Sequence, residues 1–143
     1  VRSEGQFRAV SSIVSTSERA YVQQLVEGAA EISGLWVARK VRNAANRAWI
    51  MLQLLNTVRG LGFERMVGIT TKRSIWEKTY APLGARVLFE GPTEIVKGRV
   101  KAGLVFETRV NHVFRRMPVY FLNQLPGLPS LRELALGVGP LRH

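Results

Sequence analysis

Few residue types in this chain of 143 residues can do chemistry. Cysteine is absent, which excludes disulfides, thiolate zinc sites and a cysteine nucleophile. The two histidines, His112 and His143, are too few for a histidine-rich metal site, and we predict no metal centre. Among the remaining residues, Tyr80 lies four positions before Gly84, where a predicted helix ends. The turn explains the glycine but not the tyrosine, and a phenol can donate a proton at neutral pH.

A basic stretch, "RKVRNAAN" at residues 39–46, separates a predicted strand from a long predicted helix. Its cations Arg39, Lys40 and Arg42 can hold phosphate groups, or they can form a solvated basic loop. The whole chain carries a net charge of +11. Such a surface favours anionic partners, namely nucleic acid, phosphorylated cofactors, acidic carrier proteins or anionic lipid.

The elements that must position these residues alternate between strand and helix patterns. Period-two and β-branched patterns predict strands over residues 5–16, 30–38, 63–71, 85–91 and 99–110. Amphipathic patterns with terminal glycine or proline predict helices over residues 17–29, 42–62, 72–84 and 111–117. We interpret residues 92–98 as a turn-rich link. The alternation predicts an α/β fold, with a mixed, mostly central sheet flanked by helices.

Two further expectations concern packing and domain limits. Residues 31–37 and 63–71 should be adjacent parallel strands, joined by a largely buried helix over about 44–59. Trp49 and Trp76 are predicted to belong to the core. We assign residues 1–117 to one domain, whose last helix ends at Pro118. Residues 118–143, rich in proline and glycine, form a C-terminal arm for contact with this domain, a second copy or a partner subunit.

Four stretches resemble the GNAT acyltransferase superfamily, and within it the acyl-homoserine-lactone (autoinducer) synthases and related long-chain N-acyltransferases. They are "GQFRAVSSIVST", "EISGLWV", "LLNTVRGLGFERMVGITT" and "YAPLGARVLFEGPTEIVKGRVKAGLVF", which together cover about residues 5–117. The resemblance implies an N-terminally shortened GNAT-like fold, because the opening part of the family fold is missing. The chain departs from the family pattern at Gly34, Ser12 and Ser15, where the synthases have two arginines and a proline.

The resemblance also implies roles for particular residues. Glu31 matches the strand carboxylate that deprotonates the attacking amine, and Tyr80 matches the tyrosine that protonates the departing thiolate. The residues expected to contact substrate are Ser33, Gly34 and Trp36, at a point where neighbouring strands separate to admit a pantetheine arm. The residues expected to bind the cofactor phosphates precede the long helix; they are Arg39, Lys40, Arg42 and Asn43. Each of these candidate residues can instead have a purely structural role, in the core, in a strand or on the surface.

The function implied is transfer of an acyl group to an amine acceptor. The donor is acyl-CoA or the acyl-phosphopantetheine of an acidic acyl carrier protein, used as a co-substrate without a tightly bound cofactor. Two alternatives stay open: a catalytically degenerate GNAT-like interaction subunit, and a basic nucleic-acid-binding protein. No apolar run in the sequence reaches the length of a membrane span, and we expect a cytoplasmic location.

Overall fold

The computed structural model describes residues 7–31 and 44–124. Its helices and strands, in chain order, are α1 (Arg8–Ser11), α2 (Thr16–Leu25), β1 (Ala30–Glu31), α3 (Ala44–Gly60), β2 (Arg65–Thr70), α4 (Arg73–Ile75), a π-helical turn (Trp76–Tyr80), β3 (Arg86–Val96), β4 (Arg99–Arg109) and α5 (Val110–Gln124). This is an α/β arrangement, as expected. Within these ranges, no helix has the length and hydropathy needed to cross a membrane.

The described strands form one mixed sheet in the order β1-β2-β4-β3. Strands β1 and β2 are parallel, with Ala30 opposite Met66 and Glu31 opposite Val67. The β2–β4 and β4–β3 pairs are antiparallel. The prediction of adjacent parallel strands is therefore confirmed for the described residues. Strand β2 lies inside the sheet, which explains its low content of polar residues.

The two faces of the sheet are covered by separate hydrophobic clusters. Successive residues of β2 divide between them, because side chains alternate across a strand. The cluster that includes α1 and α2 contains Phe7, Ala9, Val10, Ile13, Val22, Val26, Ala29, Val67, Phe89 and Val105. The cluster that includes α3 and α5 contains Ala30, Leu55, Val58, Met66, Leu83, Val110, Val113 and Met117. The fold therefore has three layers, with the sheet in the middle.

Helix α3 is less buried than its composition suggested. Leu55 and Val58 are fully buried, but the side chain of Trp49 is 64% exposed, and the prediction that it belongs to the core is wrong. Among its described side chains, Leu55 and Val58 pack in the α3–α5 cluster, whereas Gln53, Asn56 and Thr57 are exposed. Trp76 is half-buried and contacts Phe106, with ring centroids 5.6 Å apart.

The predicted N-terminal strand is wrong. Residues 8–11 form the single turn α1, and residue 16 already begins α2. Among the described residues 7–16, only Ile13 forms a β-bridge, opposite Thr93. Val10 and Ile13 are buried between the helices and the sheet. Their β-branched side chains therefore fill the core, because strand propensity reflects packing and gives way to tertiary context.

Two prolines, Pro92 and Pro118, lie inside a strand and a helix that were expected to end before them. The stretch interpreted as a turn-rich link continues β3 to Val96, with Pro92 paired opposite Ala102. Strand β3 lies at the end of the described sheet, where a missing N–H is tolerated. Helix α5 passes through Pro118 and continues to Gln124, so the predicted stop at Pro118 is also wrong. Met117 before Pro118 and Phe121 after it both pack in the α3–α5 cluster, which holds the helix together.

Candidate functional site

A pocket of about 440 Å³ lies against β2 and receives residues from both faces of the sheet. Glu31 and Tyr80, the two residues predicted to be catalytic, both line it. The other described lining residues are Arg8, Met51, Leu54, Met66, Val67, Gly68, Ile69, Leu83, Ala85, Ile95, Phe106, Thr108 and Val113. The wall is therefore mostly apolar, with a cation, a carboxylate and two hydroxyls at separate points.

The position of the pocket follows from the pairing of β2. Among the described residues, β1 pairs with β2 only from Ala30 to Glu31, whereas β2 continues to Thr70. Residues 68–70 thus have no described partner on that side. The pocket is lined by Met66 and Gly68 from one face of β2 and by Val67 and Ile69 from the other.

Glu31 is held by the backbone of the N-terminal turn. Its Oε2 accepts a hydrogen bond from the N–H of Arg8 at 2.8 Å, and its Oε1 accepts one from the N–H of Ala9 at 2.7 Å. Phe7 occupies the N-cap position of α1 and cannot supply a side-chain acceptor. Glu31 caps the helix in its place, from 22 and 23 residues further along the chain. The residue is 1% exposed.

Tyr80 is placed by an aromatic stack on the other face of the sheet. Its ring lies over Phe106 with centroids 4.3 Å apart and planes inclined by 30°. Phe106 in turn lies over Gly68, its register partner on β2. The π-helical turn, closed by the hydrogen bond from Ala81 N–H to the carbonyl of Trp76, brings both Trp76 and Tyr80 onto this ring. Wide turns of this kind occur often at functional sites.

The environment of Tyr80 keeps its hydroxyl protonated. Burial raises the pKa of Tyr80, and the neighbouring Tyr120 raises it further. Within residues 7–31 and 44–124, no group hydrogen-bonds the Tyr80 hydroxyl. A protonated, uncommitted phenol beside a pocket can donate to a group that develops negative charge there.

Gly68 gives a direct test of the stack. A Cβ added there would lie 2.7 Å from Cζ of Phe106, closer than real Cβ contacts. Gly68→Ala should therefore displace the Phe106 ring, disturb Tyr80, and lower the free energy of unfolding by about 1–3 kcal/mol. Denaturant unfolding of the wild type and the variant measures this.

Gly60 provides the matched control. It is the last residue of α3, and an added Cβ would have no heavy atom within 4 Å. Gly60→Ala should leave stability unchanged or raise it by up to about 1 kcal/mol, since alanine favours helix. Equal stability of Gly68→Ala and the wild type would show that Phe106 moves aside without cost.

Sequence reasoning missed Arg8, Phe106 and Thr108 as pocket residues. Oγ1 of Thr108 is buried, and no hydrogen-bond partner for it exists among the residues that the structure describes. Leaving such a group unsatisfied costs about 1–3 kcal/mol. A polar ligand group or a water molecule that reaches it would recover this free energy. Only Gly68 carried a local signal, because a glycine within a strand often marks a close approach.

Seven predicted site residues lie outside the described residues: Ser33, Gly34, Trp36, Arg39, Lys40, Arg42 and Asn43. Their proposed contacts with substrate and cofactor phosphates stay predictions. In the described part of the chain, no group of three or more His, Asp or Glu residues is placed to hold a metal ion.

Comparisons with known proteins identify no relative of this chain. No protein-family model, curated protein or solved structure matches the chain.

Proposed function

We propose that this protein is an acyltransferase that moves an acyl group from a thioester donor to an amine acceptor. One observation carries the proposal: Glu31 and Tyr80, far apart in the sequence, line the same apolar pocket. A carboxylate that accepts a proton and a phenol that donates one can supply the general base and the general acid for aminolysis of a thioester.

The reaction assigns one proton transfer to each residue. The amine nitrogen attacks the thioester carbonyl carbon, a C–N bond forms, and the C–S bond breaks. Glu31 accepts a proton from the amine, directly or through water, and Tyr80 donates its proton to the departing thiolate sulfur. Exchange with solvent then restores both side chains. Each oxygen of Glu31 accepts one backbone hydrogen bond and keeps a further lone pair for this role.

The pocket lining favours an acyl chain as the occupant. The apolar part of the pocket wall includes Met51 and Leu54 of α3, Val113 of α5, and Leu83, which follows the π-helical turn. Burying a chain here gains about 0.8 kcal/mol for each methylene removed from water. Acyl-CoA and the acyl-phosphopantetheine of an acidic carrier protein are both suitable donors for a chain of net charge +11.

The arrangement of the sheet supports the GNAT-like interpretation without depending on a relative. The parallel pair β1–β2 ends its described pairing at Glu31, and β2 presents residues 68–70 beyond that point. Of the expected C-terminal arm, residues 118–124 belong to α5, and residues 125–143 lie outside the described residues.

A second function, that of an interaction subunit without catalysis, is favoured by the contacts of Glu31. Both of its oxygens hold the α1 backbone, which is a complete structural role for a buried carboxylate. In this case Tyr80 is a packing residue of the aromatic stack. Measurements of donor binding and turnover separate the two functions.

A thermal-shift experiment tests donor binding. The probes are acetyl-CoA, a long-chain acyl-CoA and acyl carrier protein, each compared with buffer. A donor at about a hundred times its dissociation constant should add about 2.7 kcal/mol of stability. For a domain of this size, that corresponds to a rise in Tm of roughly 10 °C. No shift with any donor, together with no acyl transfer, would remove the proposal.

Thr108→Val is the variant matched to this experiment. The side chains have nearly the same shape, so the variant loses the buried hydroxyl and leaves no cavity. Without ligand, its stability should equal that of the wild type or exceed it by about 1 kcal/mol, since an unsatisfied group has gone. If a donor group satisfies Oγ1, the variant should bind that donor about five- to tenfold more weakly. Equal affinities would show that the hydroxyl contacts no ligand.

A further inference from the structure

The hairpin between β3 and β4 ends in a segment, residues 94–101, that we call the hairpin tip. Every residue of it is exposed, unlike Thr93 just before it, which is buried against the N-terminal segment. The turn itself is Lys97-Gly98, and Gly98 has φ +80°, a conformation that favours glycine. The tip thus projects from the body of the protein.

The tip combines cations with exposed aliphatic side chains. Lys97, Arg99 and Lys101 are its three cations. Val96 and Val100 are each 58% exposed, and Ile95, which also lines the pocket, is 36% exposed. Exposed apolar residues gathered in one segment of a monomer can mark a surface that a lipid bilayer or another molecule covers.

The tip has a single carboxylate, Glu94, and its local contact limits its effect. Its Oε1 accepts a hydrogen bond from the N–H of Gly98 at 2.9 Å, so the carboxylate is directed into the turn. The tip therefore keeps a net positive charge of two, from three cations and one anion. An anionic surface is the complement of this charge.

We propose that the hairpin tip binds the surface of an anionic phospholipid bilayer. Val96 and Val100 enter the boundary between headgroups and acyl chains, while the cations contact lipid phosphates. A bilayer accepts a narrow projecting tip, because only a few side chains need to insert. A stable protein interface needs about 20–30 residues on each side, far more than this tip offers.

Nucleic acid is a poorer fit to the same residues. Single strands bind through aromatic side chains that stack on bases, and the tip contains none. Burying two valines against a phosphate backbone gains nothing. The apolar part of the tip therefore distinguishes the two anionic partners.

Vesicle co-sedimentation tests the proposal, with phosphatidylcholine vesicles that contain or lack phosphatidylserine. Wild-type protein should bind the anionic vesicles and dissociate from them as the salt concentration increases. The triple variant K97Q/R99Q/K101Q should lower the partition coefficient about a hundredfold. V96T/V100T, which keeps β-branched residues in the hairpin, should lower it about tenfold at unchanged charge.

The matched control, K72Q/K78Q/R115Q, removes the same charge from exposed positions outside the tip. It should weaken binding by less than about threefold if contact is made by the tip. Equal losses in the control and the tip variant would overturn the assignment, as would absence of binding to anionic vesicles. Binding to a single-stranded oligonucleotide that the tip variant alone loses, with vesicle binding intact, would also overturn it.

Discussion

Replacing Tyr80 with phenylalanine should lower the single-turnover rate of acyl transfer by a factor of about 10² to 10⁴, while donor affinity is retained. The change removes only the hydroxyl. The ring keeps its stack on Phe106, at a centroid distance of 4.3 Å in the wild type, so the pocket wall should remain in place. What the variant loses is the proton that the proposed mechanism delivers to the thiolate.

The pH dependence gives this prediction a second readout. Burial and Tyr120 raise the pKa of Tyr80, so the phenol loses its proton only at a higher pH than a free tyrosine does. Activity that depends on Tyr80 should therefore persist until the pH exceeds about 10, the ordinary tyrosine value. The residual activity of Tyr80→Phe should lack this alkaline limb.

Tyr21 supplies the matched control, because it is 61% exposed on α2 and is not among the pocket residues. Tyr21→Phe makes the same chemical change and should leave both rate and affinity within about twofold of the wild type. Equal rates for Tyr80→Phe and the wild type would leave Tyr80 as a packing residue. That result would favour the non-catalytic interaction subunit.

Replacing Glu31 with glutamine should lower the free energy of unfolding by about 2–3 kcal/mol. The carboxylate accepts hydrogen bonds from two backbone N–H groups, whereas an amide has one acceptor oxygen and places an NH₂ donor at the second. One buried N–H of α1 then loses its partner. Chemical denaturation and the corresponding fall in Tm, roughly 10 °C, measure the effect.

Glu64→Gln is the control for this loss, because Glu64 is exposed and its side chain has no hydrogen bond to the residues that the structure describes. Its stability should stay within about 0.5 kcal/mol of the wild type. The capping role and the catalytic role of Glu31 are separable, since turnover can be normalised to the folded fraction. A Glu31→Gln variant as stable as the wild type would contradict the cap that the structure shows.

The elements that the sequence predicted correctly are those whose hydrophobic periodicity is enough to define them without contacts from elsewhere in the chain. Helix α2, the extent of α3 and strands β2 and β4 follow from their periodicity. Gly84 has φ +89°, the helix-terminating conformation expected of it. Strand β2 lies inside the described sheet, in keeping with the apolar run at residues 66–69. Such patterns suffice because hydrogen bonding and side-chain direction within one element depend on neighbours in the chain.

The errors fall where a distant residue decides the local structure. Residues 8–11 are helical because Glu31 caps them, and no pattern within the stretch reveals that acceptor. Pro92 is tolerated because β3 lies at the end of the described sheet, and Pro118 because the residues around it pack on α3. In each case a tertiary contact outweighs the local propensity.

For the candidate site, the sequence alone supplied Glu31 and Tyr80 as residues able to do chemistry, through a resemblance to acyltransferases. Only the tertiary structure placed both at one pocket and added Phe106, Gly68 and Thr108 around it. The register of β2 against β4 sets Gly68 opposite Phe106, and that ring supports Tyr80. The sequence states which groups are available, but the distances between them depend on how the strands pair and the layers pack.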